Sequence, residues 1–288
     1  MTDRAKSAFV PIVLTTLAMI AFAANSLLTR LALAPNPILI DAASFANIRV
    51  TSAALTLWII VLWRTRTKIP ARADPKMAIA LFVYMVGFSF AYILLETGTG
   101  ALILFGSVQL TMFGYAIYRG ERFSPLSWVG LAAALAGMVL LVSPAGAAPE
   151  PVGVILMVGA GIGWGAYSLM GRTASSPLFS TAWNFAYCLP LVMIVSVVFW
   201  TSAHFTTNGV ILALTSGVIA SGLGYVIWYA ALNYLSAGRA ASVQLSAPVI
   251  AAIAGVMILS EPLSLQMVLA CLITLGGVGL AISQRRDR

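Results

Sequence analysis

A chain of 288 residues that is 61% hydrophobic and 8% charged, with a mean hydropathy of +0.99, is not a water-soluble domain, because the surface of such a domain must be largely polar. The net charge of +8 would suit a polyanionic partner. The basic residues, however, fall between apolar runs, so they speak for membrane topology and not for nucleic acid.

The runs follow one another along the chain, each near the roughly 20 apolar residues that a helix needs to cross a bilayer. The first, Phe9–Leu33, is too long for the apolar core of a cleavable signal peptide and carries Asn25 at depth and Arg30 at its end. The second, Ile38–Trp63, holds Arg49 about 11 residues in, near mid-bilayer by helix rise. An arginine there is a functional hypothesis. Two roles are open: a structural one, bonding carbonyls or Asn47, and contact with substrate.

The third run, Met77–Leu95, spaces Tyr84, Phe88 and Tyr92 four apart, hence on one helical face. The tight turn TGTG (Thr97 to Gly100) leads into the fourth, Thr99–Tyr118, which contains Gln109. The fifth is Ser124–Val142. The sixth, Val152–Gly171, places Trp164, Tyr167 and Ser168 together, and the seventh is Phe179–Trp200. The eighth, Gly209–Leu232, has Tyr225 and Trp228. After LSAG (Leu235 to Gly238), the ninth, Ala240–Leu259, has Gln244 and Pro248, and the tenth is Leu263–Ser283.

Tyr hydroxyls at membrane depth want a partner or a wet cavity, so the internal aromatics either line a cavity or pack the bundle. Asn25, Gln109, Ser168 and Gln244 either bond between helices or meet a substrate. Pro248 lacks an N–H and frees a carbonyl one turn earlier, which permits a hinge. Trp63, Trp128, Trp183 and Trp200 lie at span ends and read as interfacial belt residues. Cys188 and Cys271 read as buried thiols, and His204 falls in a loop.

With the N-terminus inside and one crossing per run, 14 basic residues lie on the inner side and only Arg30 on the outer. The inner set is Arg4, Lys6, the cluster from Arg64 to Lys76, Arg119, Arg122, Arg172, Arg239 and the tail Arg285, Arg286 and Arg288. That asymmetry places both termini in the cytoplasm, and the expected location is a bacterial inner membrane.

The string SVQL occurs at Ser107 and again at Ser242, but aligning the two drops Glu121 onto Val256 inside an apolar run. A shift of 140 instead carries Glu121 onto Glu261, Ser124 onto Ser264 and Gly137 onto Gly277. NSLLTR (Asn25 to Arg30) also resembles YSLMGR (Tyr167 to Arg172). Repeats carry their turns with them, so the chain reads as two five-span units, residues 1–147 and 148–288. Five crossings is odd, so the units have opposite orientation. The fold class expected is an all-α membrane protein of ten transmembrane helices in two inverted five-helix repeats.

The segment from Ala231 to Ile282, with Gly238, Ala241, Ser242, Pro248, Glu261 and Gly277, resembles the closing part of the EamA module of the drug/metabolite transporter superfamily. GIGWGAYSLMGR (Gly161 to Arg172) looks like the opening of the same module. The first copy departs from the pattern, with Val108 for the mid-span Pro and Ala23-Ala24 for the Trp-Gly pair. The resemblance implies a transporter, and within the superfamily the chain resembles the amino-acid exporters of the YddG type.

The expected function is therefore export of small metabolites, chiefly aromatic and other neutral amino acids, by alternating access. The substrate-binding candidates are Asn25, Tyr84, Phe88, Tyr92, Gln109, Trp164, Tyr167, Ser168, Tyr225 and Gln244, with Arg49 a structural or substrate contact and Pro248 a hinge. Every Asp and Glu falls in a tail, a turn or near a span end, which favours downhill exchange over proton antiport. Multidrug or small-cation efflux is the alternative. A membrane enzyme is remote: there is one His, two scattered Cys and no GxSxG elbow. No cofactor or metal is expected, and the partners are a small molecule, the lipid bilayer and, at most, a second copy of the chain.

Overall fold

The structure, a computed structural model, describes residues 3–34, 37–64, 74–120, 123–142, 149–171, 176–235 and 243–283. Ten helices occur among them: α1 (Asp3–Leu33), α2 (Ala42–Arg64), α3 (Pro75–Leu94), α4 (Thr97–Tyr118), α5 (Pro125–Val142), α6 (Pro151–Gly171), α7 (Pro177–Val198), α8 (Thr207–Leu232), α9 (Ser246–Leu259) and α10 (Leu265–Ser283). Seven are long and apolar enough to cross a membrane, while α5, α9 and α10 carry shorter apolar stretches. The protein is an all-α, multi-pass membrane protein. Glu121, Arg122, Arg172, Gly238, Arg239, Ala241, Ser242 and the tail arginines lie outside the described residues.

Helix starts follow local chemistry. Pro75, Pro125, Pro151 and Pro177 each open a helix, where the missing N–H costs nothing and the fixed φ already suits the helix. Asp74 caps α3 by accepting from the Lys76 N–H at 2.9 Å, and Thr206 caps α8 through the Gly209 N–H at 3.1 Å. Within the ninth apolar run Val243 and Gln244 are helical, a turn falls at Leu245, and α9 runs on from Ser246. Pro248 cannot donate to the carbonyl of Gln244, so the ladder is interrupted one turn before it.

The packing partners are specific. α3 lies on α6 and α8 lies on α1; α4 lies on α6 and α9 on α1; α7 lies on α3 and α2 on α8. Three further pairs face each other, α2 with α7, α4 with α9 and α5 with α10. Along α5 and α10 the backbones touch. A Cβ on Gly137 would stand 2.7 Å from the Thr274 nitrogen, and one on Gly277 would stand 2.5 Å from that of Ala134. Only glycine permits that approach.

Large apolar side chains such as Leu55, Ile59, Ile155 and Met257 face outward, as lipid contact requires. Trp63 and Trp200 are exposed at helix ends. Trp183, expected in the interfacial belt, instead packs edge-on against Trp58 of α2 at 4.9 Å. Asn47 also faces α7, donating to the Ser196 hydroxyl at 2.9 Å.

Candidate functional site

The middle of α8 is wound as a π-helix from Ser216 to Leu223. Such turns cluster at functional positions, because the wider winding re-aims side chains. Here it brings two serines five residues apart to bear on the first half of the chain. Ser216 donates to Asn25 Oδ1 at 2.7 Å, and Ser221 accepts from Arg49 Nε at 3.1 Å. Close approach makes this possible: a Cβ on Gly217 would stand 2.5 Å from the Arg49 carbonyl oxygen and collide with the Ser52 hydroxyl.

Arg49 is completely buried. Besides Ser221 it meets Tyr84, donating from Nη2 to the hydroxyl at 3.0 Å, and Asn25 Nδ2 donates to that same hydroxyl at 3.3 Å. The guanidinium carbon lies 4.9 Å from the Phe88 ring centre and 5.4 Å from that of Tyr84, within cation–π range. Nη1 has no partner. The alternative expected from sequence, a bond to Asn47, is not formed. Two residues apart on a helix, the side chains point in different directions, and Asn47 turns to α7 while Arg49 turns inward.

A cavity lies beside this network, lined by Asn25, Arg49, Tyr84, Phe88, Trp164 and Tyr225 together with Phe22, Leu104, Phe105 and Ala220. Its free volume is about 10 Å³, room for roughly one water. The aromatic wall is continuous. Trp164 stands 5.0 Å from both Tyr84 and Tyr225, and Phe22 stands 6.0 Å from Trp164 and 6.2 Å from Tyr225. The Tyr225 hydroxyl is buried without a partner.

Six of the eleven candidate contacts named from sequence, Arg49 among them, thus converge on one cavity. Tyr167 stands behind it, stacked on Trp164 at 5.7 Å with its hydroxyl toward Thr181. Tyr92 packs on Phe88 at 4.7 Å but ends the ladder elsewhere, donating to the Thr97 carbonyl at 3.3 Å. Gln109 and Gln244 are buried on α4 and just ahead of α9, and Ser168 is half-buried on α6, all outside the cavity lining. Phe22, Phe105, Ser216 and Ser221 carry no signal distinguishing them from their apolar or small neighbours in sequence.

Beyond Tyr92 a second polar cluster closes one end of the bundle. Glu261, on the link from α9 to α10, accepts the Arg30 Nε–H at 3.3 Å, and its oxygens also accept from the Thr97 hydroxyl and N–H. Arg30 Nη1 donates to the carbonyls of Tyr92 and Ile93 at the end of α3, at 2.9 and 3.2 Å. Burial, and then the Glu261 carboxylate, hold the Glu96 carboxyl above its ordinary range, with Arg30 acting the other way. Toward the other end, a cleft of about 450 Å³ lies between α1 and α9, lined by Pro11, Thr15, Met19, Val243, Ser246 and Ile250. Met19 and Phe22 are one helical turn apart, so this cleft reaches to within a turn of the cavity.

An enclosed polar site inside a bundle of apolar helices suits a membrane transporter. The chain belongs to the EamA-like transporter family, whose pattern matches residues 151–283, and is an EamA-type member of the drug/metabolite transporter superfamily. An uncharacterized protein of Pseudomonas aeruginosa is 44% identical over 96% of both chains. The uncharacterized transporter YvbV of Bacillus subtilis is 24% identical over 91% of this chain and 88% of its own, and an uncharacterized transporter of Archaeoglobus fulgidus is 24% identical over 84% and 89%. A protein known from a crystal structure superposes with a TM-score of 0.64 over 92% of this chain and 98% of its own. At 21% identity it shares the fold. The protein is a membrane transporter of small substrates, and these relatives point away from an enzyme.

Proposed function

We propose that the chain exports amino acids, aromatic and other neutral ones, across the bacterial inner membrane by alternating access. The observation that carries this reading is the aromatic, hydrogen-bonding cavity buried partway along the apolar helices, between helices from both halves of the chain. Its size argues for a closed intermediate: one end is held by the Arg30–Glu261–Thr97 cluster, and an open cleft approaches from the other.

The reading includes ten crossings, as two inverted repeats of residues 1–147 and 148–288, with both termini cytoplasmic. Packing symmetry supports it. Replacing each helix by the one five places along converts every pair described above into another described pair, as a two-fold axis in the membrane plane would. The shift of 140 has the same support. The contacts of Gly137 with Thr274 and Ala270 become those of Gly277 with Ala134 and Gly130. The site then sits between two halves that can rock against each other.

Proteoliposomes preloaded with unlabelled phenylalanine test the reading. Labelled phenylalanine should enter by counterflow, with threonine competing and without need of a pH gradient. Movement of a cationic dye with no counterflow of either amino acid would overturn it in favour of cation efflux.

A further inference from the structure

Arg49 presents a charge that nothing in its surroundings balances. Its side chain is fully buried, and its partners are two hydroxyls and two ring faces, none of which is anionic. Among the described residues the one ion pair is Arg30 with Glu261, which belongs to the closed end of the bundle. A buried cation is ordinarily paired, because its desolvation is otherwise uncompensated. Of the five N–H groups of a guanidinium, those on Nη1 have no acceptor. The Tyr225 hydroxyl, whose residue lines the same cavity, has none either. Two orphaned, fully desolvated donors on α2 and α8 therefore share one cavity with an aromatic wall.

We infer that the cavity is a carboxylate site: its ligand is an organic monoanion with an aromatic or branched apolar body. Arg49 Nη1 and the Tyr225 hydroxyl donate to the carboxylate, and Phe22, Phe105 and Trp164 pack the body. Among the described residues a single guanidinium is the only cation in the lining, which matches one negative charge and not the two of a phosphate monoester. Among the described residues no carboxylate lines the cavity to demand an ammonium, although ring faces accept one. The amino group of an amino acid is thus dispensable, and arylalkanoic acids lacking it are ligands too. This inference rests on the cavity being the transport site, and it narrows the substrate by chemistry: carboxylate required, ammonium optional.

Calorimetry on the full chain in lipid nanodiscs at pH 7 tests it with four probes: 3-phenylpropionate, L-phenylalanine, 2-phenylethylamine and phenyl phosphate. Phenylpropionate and phenylalanine should bind within about 10-fold of each other, and phenylethylamine and phenyl phosphate about 100-fold more weakly. Arg49→Gln should lose the carboxylate ligands by about 100-fold while melting no lower than the parent, because it removes an unbalanced buried charge. Tyr225→Phe, which leaves the packing intact, should weaken them about 5- to 10-fold. Phenylethylamine binding as tightly as phenylpropionate to the unsubstituted protein would overturn the inference, with no variant needed. So would a large fall in melting temperature for Arg49→Gln with carboxylate binding preserved. Absence of binding by all four probes would also overturn it: alone if phenylalanine counterflow persists, and together with the amino-acid reading if counterflow is absent too.

Discussion

Both carboxylate oxygens of Glu261 lie 2.9 Å from the backbone nitrogen of Thr97, 164 residues away in the chain. Glu96, at the N-cap of α4, makes no capping bond of its own. Glu261 supplies the missing acceptor from across the bundle and places a negative charge at the positive end of the α4 dipole. The chain is aimed there by Ser260, which ends α9 in the left-handed region at φ 54°. Glu261→Ala should cost about 1.5–3 kcal/mol for the charged hydrogen bonds lost, seen as a melting temperature lower by several degrees. It should also raise labelling of a cysteine at Leu104 by an impermeant maleimide added from the side that bears Arg30.

Arg30 uses different nitrogens for different helices. Nε serves Glu261 while Nη1 serves the last carbonyls of α3. A lysine ammonium keeps the charge but not the planar fork. Arg30→Lys should therefore behave nearly as Arg30→Ala in the maleimide assay. A double-mutant cycle with Glu261→Ala should give a coupling of about 0.5–3 kcal/mol.

Glu96 confers a pH dependence of predictable sign. Its carboxyl, raised by burial and by Glu261 against the pull of Arg30, binds a proton more readily in the closed arrangement than when exposed. The closed form is thus best stabilised at pH below the ordinary carboxylate value, and that contribution is lost as pH rises through the raised one. Glu96→Gln mimics the protonated form. Its melting temperature should exceed that of the parent at pH 7, and the two should converge toward pH 4.

Adjacent glycines of α10 should respond oppositely. A Cβ at Gly277 would meet backbone atoms of α5 at 2.5 and 2.6 Å, whereas one at Gly276 would meet nothing within 4 Å. Gly277→Ala should destabilise by about 1–3 kcal/mol through overpacking. Gly276→Ala should be neutral or gain up to about 1 kcal/mol from helix propensity. Thermal melts of both variants in one detergent check the contrast.

The two cavity tyrosines should also separate. The Tyr84 hydroxyl accepts from both Arg49 and Asn25, so Tyr84→Phe strands two buried donors and should cost about 1–3 kcal/mol for each. The Tyr225 hydroxyl has no protein partner, so Tyr225→Phe should leave the melting temperature unchanged.

The helices were legible because each is an uninterrupted apolar run between turn residues, and periodicity set the Tyr84–Phe88–Tyr92 face. That face does not stay at one site, however. Eight residues of helix rise about 12 Å, which carries Tyr92 from the cavity's neighbourhood to the Thr97 carbonyl. Gln109, Ser168 and Gln244 are polar residues at depth, but helix rotation within the bundle decides what they face, and sequence does not state it. Ser216 and Ser221 illustrate the limit most clearly. Five apart, they fall on different faces of an α-helix, and only the π winding of α8 turns both toward α1 and α2. Of the two roles open to Arg49 from sequence, neither told that it would stand in the cavity wall, which the arginine's length lets it reach from α2.

The seam between α5 and α10 constrains how the molecule can work. At Gly130, Gly137 and Gly277 the main chain of one helix stands so close to the other that little side-chain bulk separates them, and sliding would press backbone against backbone. Such a joint resists translation and tolerates at most a small swivel. On the proposed alternating-access reading the other helices turn about this spine, and a crosslink across it should leave turnover intact.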